Sequence, residues 1–107
     1  MPEERSTSSR LSSGDGNGLV PLGRGAKGLR GVVERLDLNN APADGIDSYE
    51  LERRLLEIGF VEGARVEILH EGFIGRDPIA VKLDDMRVAL RRREADAVLI
   101  RPAEAMR

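Results

Sequence analysis

The hydrophobic pattern of this chain changes period within LERRLLEIGFVEGARVEIL, Leu51 to Leu69. Leu51, Leu55 and Ile58 recur at i, i+4 and i+7, one stripe of an α-helix, with Leu56 widening it and charged residues filling the other face. Asp47, followed three residues later by Glu50, reads as an N-cap with a reciprocal partner, and Glu50 to Arg54 is an i,i+4 pair in the better orientation. The pattern therefore predicts a helix starting near Ser48. Gly59 stands where a left-handed residue would close it, with Phe60 folding back on the last apolar turn. Val61, Glu62 and Gly63 then read as a turn, and Arg65 to Ile68 alternates as a strand does.

The rest of the chain reads as strands and loops. Val32, Val33 and Leu36 mark a first strand over Leu29 to Leu36, and LNNAPADGID, Leu38 to Asp47, is loop chemistry linking it to the helix. Ile79, Val81 and Leu83, then Met86, Val88 and Leu90, predict a hairpin turning at Asp84 and Asp85. Glu71 to Asp77, EGFIGRD, reads as a longer glycine-bearing loop ahead of that hairpin. Arg93 to Ala97 has the length of a single helical turn, and Val98 to Ile100 forms a last strand before Pro102. About five short strands and one main α-helix are most economically arranged as a small β-barrel, because closure removes exposed edges. Residues 1–18, with Leu11 the one apolar residue between Met1 and Gly18, cannot offset the entropy of ordering and are expected to be a disordered tail. The predicted organisation is a tail over 1–18, a domain over 19–102 and a frayed end over 103–107.

Composition narrows the chemistry. The 107 residues hold no Cys, no Trp, one Tyr and two Phe, so the core must be aliphatic, and neither disulfides nor thiolate metal sites are available. No apolar run reaches membrane-spanning length and MPEERSTSSR is no signal peptide, so a cytoplasmic protein without membrane insertion is expected. His70 is the single histidine, which leaves no relay for catalysis and no imidazole pair for a metal. No catalytic residue, cofactor or metal site is expected, a weak transition-metal contact being the most these side chains offer. Glu71, Asp84 and Asp85 are the acids that would have to converge for a hard cation, although adjacent acids in a turn are usually solvated. GRGAKG, Gly23 to Gly28, lacks the order and the hydroxyl of a phosphate loop and reads as a flexible lead into the first strand. Arg91 to Arg93 reads as a solvated rim that with Arg53 and Arg54 would make a positive patch. The formal charge is −2, with 13 basic against 16 acidic residues after residue 28, and stacking aromatics are lacking, which argues against nucleic acid.

ERRLLEIGFVEGARVEIL followed by DPIAVKLDDMRVALRRREADAVLI resembles the FeoA family, small SH3-like barrels that accompany the ferrous iron transporter FeoB and also form the C-terminal domain of some metal-dependent repressors. The likeness runs from about Leu22 to Arg101. Two departures touch loops: Asp85 stands where such sequences often carry glycine, and the linker from Asn39 to Asp47 is longer than usual. The resemblance implies a bacterial, cytosolic accessory protein of ferrous iron uptake, not an enzyme, that binds the G domain or the membrane-proximal surface of a FeoB-like transporter. The alternative it implies is a regulatory barrel of an iron-dependent repressor, though residues 1 to 28 are too polar and short for a helix-turn-helix. For partner contact the residues favoured are Phe73, Ile74 and Arg76, because an apolar pair on a loop is a plausible interaction tip, with Arg53 and Leu56 on the helix as the weaker pair. An exposed edge strand would also permit weak self-association.

Overall fold

The computed structural model describes residues 18–40 and 47–103. Residues 1–17 of the expected tail, most of the linker and residues 104–107 of the expected frayed end lie outside these residues. Six strands, β1 (Val20–Pro21), β2 (Arg30–Leu36), β3 (Arg65–Ile74), β4 (Asp77–Leu83), β5 (Met86–Leu90) and β6 (Val98–Pro102), form one antiparallel sheet in the order β1-β6-β2-β3-β4-β5. Helices α1 (Ser48–Ile58) and α2 (Arg92–Ala95) accompany it. The fold is mainly β, as the alternation predicts, and the described residues form six strands where about five are expected. The additional strand is the two-residue β1, too short to show a period.

Residues 47–69 fold as their pattern dictates. Asp47 Oδ1 accepts from the Tyr49 backbone N–H at 3.2 Å, capping α1. This is the second helical position, and Glu50 returns no bond; nor does Glu50 pair with Arg54. The i,i+4 pair on this face is Arg53 with Glu57 at 3.4 Å, while Arg54 reaches Glu94 at 2.9 Å. Gly59 adopts φ 126° and closes α1. Its N–H bonds the Leu56 carbonyl and the Phe60 N–H bonds that of Leu55, the paired bonds of a Schellman motif. Phe60 is thereby turned into the core with Leu51, Leu55, Val66, Ile68, Ile79, Val81, Leu83 and Leu90, to which β6 adds Val98 and Ile100.

Three irregularities bend the sheet. β2 carries a bulge at Glu34, and β3 slips against β4 at Leu69 and again between Glu71 and Ile74. Bulges increase local twist, which lets one sheet wrap around a core this small. The second slip corrects the expected loop. EGFIGRD is not a loop: β3 runs on to Ile74, pairs it with Asp77, and turns through Gly75 and Arg76 at φ 64° and 61°. Positive φ at both central positions marks a type I′ turn, whose twist suits a two-residue hairpin. The β4–β5 turn at Asp84 and Asp85 is where the pattern predicts it, with Asp84 alone at positive φ. The Gly23 stretch is also corrected: Leu22–Arg24 forms a packed 3-10 turn in which Gly23 is buried. A Cβ on Gly23 would come within 2.1 Å of the Arg92 carbonyl oxygen, so glycine is required by the close approach of α2.

Candidate partner-binding site

The β3–β4 hairpin ends in an apolar tip. Phe73 is fully exposed, at 105%, and Ile74 is 88% exposed, although both belong to a strand otherwise half embedded in the core. The bulge explains this: Gly72 and Phe73 together oppose Pro78, so the alternation that buries Val66 and Ile68 is broken before it reaches the tip. Gly72 is fixed here by contact, since a Cβ would sit 2.2 Å from the Asp77 carbonyl oxygen. Arg76, in the turn, is exposed beside the pair.

The tip is braced from beneath by Arg92. Its Nε donates to the Arg76 carbonyl at 2.8 Å, one terminal nitrogen donates to the carbonyls of Gly23 at 3.0 Å and Gly25 at 2.6 Å, and the other pairs with Glu71 Oε2 at 2.7 Å. The Arg92 backbone N–H donates to Asp77 Oδ1 at 2.9 Å. The planar guanidinium thus ties the 3-10 turn, β3 and the hairpin turn to α2, and the Arg92 backbone N–H adds β4. The expected rim of three arginines is corrected accordingly: Arg91 and Arg93 are exposed, but the Arg92 side chain is only 19% exposed and internally satisfied. Arg54 is held by Glu94, whose second oxygen accepts from the Arg91 N–H at 3.1 Å.

Arg53 and Leu56 lie on another surface, the outer face of α1, where with Tyr49, Glu52 and Glu57 they line a shallow groove. Leu56 does not widen the buried stripe; it is 43% exposed. A Cβ on Gly59, at the end of this helix, would meet Leu83, the far end of β4 from Asp77. That strand spans about 20 Å at ~3.3 Å per residue. The structure therefore brings Phe73, Ile74 and Arg76 together and leaves the two helix residues as a separate patch. Tyr49 and Val61 are further exposed apolar residues that the periodicity did not single out, and Met86, which the alternation groups with Val88 and Leu90, is 49% exposed beside the β4–β5 turn.

The acids considered for a cation do not converge. Glu71 is engaged by Arg92 opposite Ile79, while Asp84, beyond Leu83, accepts from the Arg65 N–H at 3.0 Å. Among the described residues no group of three His, Cys, Asp or Glu is placed to hold a metal ion, and no helix is long and apolar enough to cross a membrane.

Beneath the brace, Asp96 carries a buried Oδ1 without a hydrogen-bond partner. Burial raises its carboxyl above the ordinary value of 3.8; the nearby Arg24 and Arg92 oppose this and Asp77 reinforces it. The folded state therefore holds this proton more tightly than the unfolded chain. The associated stability is fully present below pH 3.8 and is lost as pH rises through the raised folded value. Asp96→Asn is expected to gain melting temperature relative to the parent as pH goes from 3.5 to 7. A difference that stays constant with pH contradicts this assignment.

The FeoA domain family model matches residues 20–102. FeoA of Stenotrophomonas maltophilia, described as an SH3 domain protein and complexed with zinc, is 32% identical with a TM-score of 0.57, over 74% of this chain and 86% of that one. FeoA of Chlorobium tepidum is 26% identical with a TM-score of 0.61, over 78% and 70%. A manganese-dependent transcriptional repressor is 23% identical with a TM-score of 0.61, over 78% of this chain and 41% of its own length, a likeness that shows the fold alone. A search of curated protein sequences finds no match.

Proposed function

We propose, on the premise that this chain belongs to the FeoA family, associated with ferrous iron transport, that it is a non-enzymatic accessory module binding the cytosolic part of a FeoB-like transporter through its hairpin tip. The observation that carries this reading is the pairing of a fully exposed Phe73 and an 88% exposed Ile74 with a rigid support, Arg92. Aromatic and aliphatic anchors held in one conformation lose little entropy on docking and fill a partner's pocket efficiently. Arg76 supplies a cation at the rim, where charge sets orientation more than affinity. Arg53 and Leu56 form a second, smaller contact on α1. A module of this kind acts by binding two conformations of its partner unequally, and shifts their populations only by that difference. The surroundings proposed for it are cytoplasmic.

The test separates contact from folding. Phe73→Ala with Ile74→Ala is expected to weaken binding to the transporter's cytosolic domain at least tenfold, about 1.4 kcal/mol or more. The thermal midpoint should barely move, because exposed apolar side chains contribute within about 0.5 kcal/mol. Full binding by this variant would sink the assignment.

A further inference from the structure

We propose that the hairpin tip of one copy of this chain seats in the groove on the outer face of α1 of a second copy, so that the chain associates head to tail. Among the described residues six large apolar side chains are exposed; Phe73 and Ile74 make the tip, and Tyr49 and Leu56 line the groove. The two surfaces differ in shape, one a tight turn at the end of a hairpin, the other a shallow recess of about 440 Å³. An apolar knob fits an apolar recess better than either fits its own kind. The charges agree with this pairing. Within the groove Arg53 pairs with Glu57 at 3.4 Å, which leaves Glu52 as the unbalanced charge. At the tip Glu71 is engaged by the Arg92 guanidinium and Asp77 turns back onto the Arg92 N–H, so Arg76 is the charge presented outward. Among the described residues neither Glu52 nor Arg76 forms an ion pair. Contact of tip with groove sets these opposite charges together, whereas contact between two tips sets the two copies of Arg76 against each other.

The spacing admits the fit. Tyr49 and Leu56 stand at i and i+7 on one helix face, about 10 Å apart along the axis, with Glu52 between them. The end of a two-stranded hairpin, its strands about 4.8 Å apart, enters that interval. Phe73 and Ile74 then reach Tyr49 and Leu56 while Arg76 faces Glu52. Within one chain this contact is not made: Phe73 is fully exposed, and Arg92 holds the turn in place through the Arg76 carbonyl at 2.8 Å. A copy that gives its tip keeps a free groove, so the association is open-ended, a dimer and then longer arrays, as a heterologous interface dictates. The contact area is small, which places the dissociation constant on the order of 0.1 to 1 mM. This inference goes beyond the transporter reading and is tested without a transporter. A tip seated in a second copy is withheld from any other partner.

The test is sedimentation equilibrium of the intact chain from about 0.02 to 2 mM, a range that brackets this constant. The average mass is expected to climb with concentration past that of a dimer. Phe73→Ser with Ile74→Ser removes the tip and Tyr49→Ser with Leu56→Ser removes the groove, so each variant alone should remain a monomer. Mixed in equal amounts the two should form a dimer and nothing larger, since each supplies the surface that the other lacks. Glu52→Arg should weaken the parent's association at least about threefold, the size of one exposed ion pair, and Arg76→Glu added to it in the same chain should restore most of the loss. Arg87→Glu, an exposed site on β5, should leave the association unchanged. Circular dichroism melting separates lost contact from lost fold, and if the groove variant melts early the Glu52 and Arg76 exchange decides alone. The proposal is overturned by a parent that stays monomeric throughout, by association that persists in the tip variant, or by a charge exchange that restores nothing. Two folded variants that remain monomeric when mixed also overturn it, and assign the contact to like surfaces.

Discussion

Arg92→Ala is expected to destabilise the folded chain by about 2–3 kcal/mol, because it strands several polar groups at once. The guanidinium satisfies the carbonyls of Gly23, Gly25 and Arg76 and neutralises Glu71, whose side chain is only 21% exposed. Removing one partner of such a cluster costs more than the pair contributes net, since the remaining carboxylate is left in a poorly solvated place. For a domain of this size a loss of that order lowers the melting temperature by roughly 10 °C or more. Arg92→Lys should recover less than half, because one ammonium cannot reach three elements with a planar fork. Denaturant unfolding beside Arg93→Ala, an exposed control, checks the claim. Equal small losses in both would mean that Arg92 is the solvated rim its neighbours are. Amide exchange at Phe73 to Arg76 should also quicken in Arg92→Ala, since the tip loses its brace.

Phe60→Ala is expected to cost more, about 3–5 kcal/mol, which is most of the stability of an ordinary small domain. Phe60 is fully buried and is the largest side chain in the core, in a chain with only one other Phe and no Trp. Its position depends on the paired bonds that end α1, so the cavity would open beneath Leu55, where the helix leaves the sheet. Phe60→Leu should cost about 1.5 kcal/mol or less, because it keeps most of the apolar volume. Calorimetric melting of the two variants decides the point. A Phe60→Ala protein melting within a few degrees of the parent would show that Phe60 does not organise the core.

The helix, its glycine stop and the following strand were legible in the sequence because every local signal agreed. Asp47 caps, Leu51 and Leu55 fall on one stripe, Gly59 permits the left-handed turn, and Val66 and Ile68 alternate inward. The hairpin tip was legible as an exposed apolar pair but not as a hairpin. The two residues Gly72 and Phe73 opposite Pro78 break the period of two, and Gly75 with Arg76 is a turn pair less telling than Asn-Gly. Arg92 could not be told from Arg91 and Arg93 by type or spacing. What distinguishes it is the sharp passage from β5 into α2, which directs the middle arginine toward Glu71, 21 residues earlier. Leu56 was half legible: its spacing allowed the buried stripe, and only the seating of α1 on the sheet leaves it outside.

The central claim is that the hairpin tip is a contact surface for the transporter. Its most direct test is an NMR titration of the intact chain with the cytosolic G domain of the FeoB-like protein of the same organism, with and without guanine nucleotide, beside an anaerobic titration with ferrous iron alone. The account predicts saturable shifts centred on Phe73 to Arg76 with the protein partner, smaller ones at Arg53 and Leu56, and none of comparable size with iron. Silence with the partner, together with saturable shifts around His70 and Asp84 on adding iron, would contradict it and make the barrel a metal-responsive one.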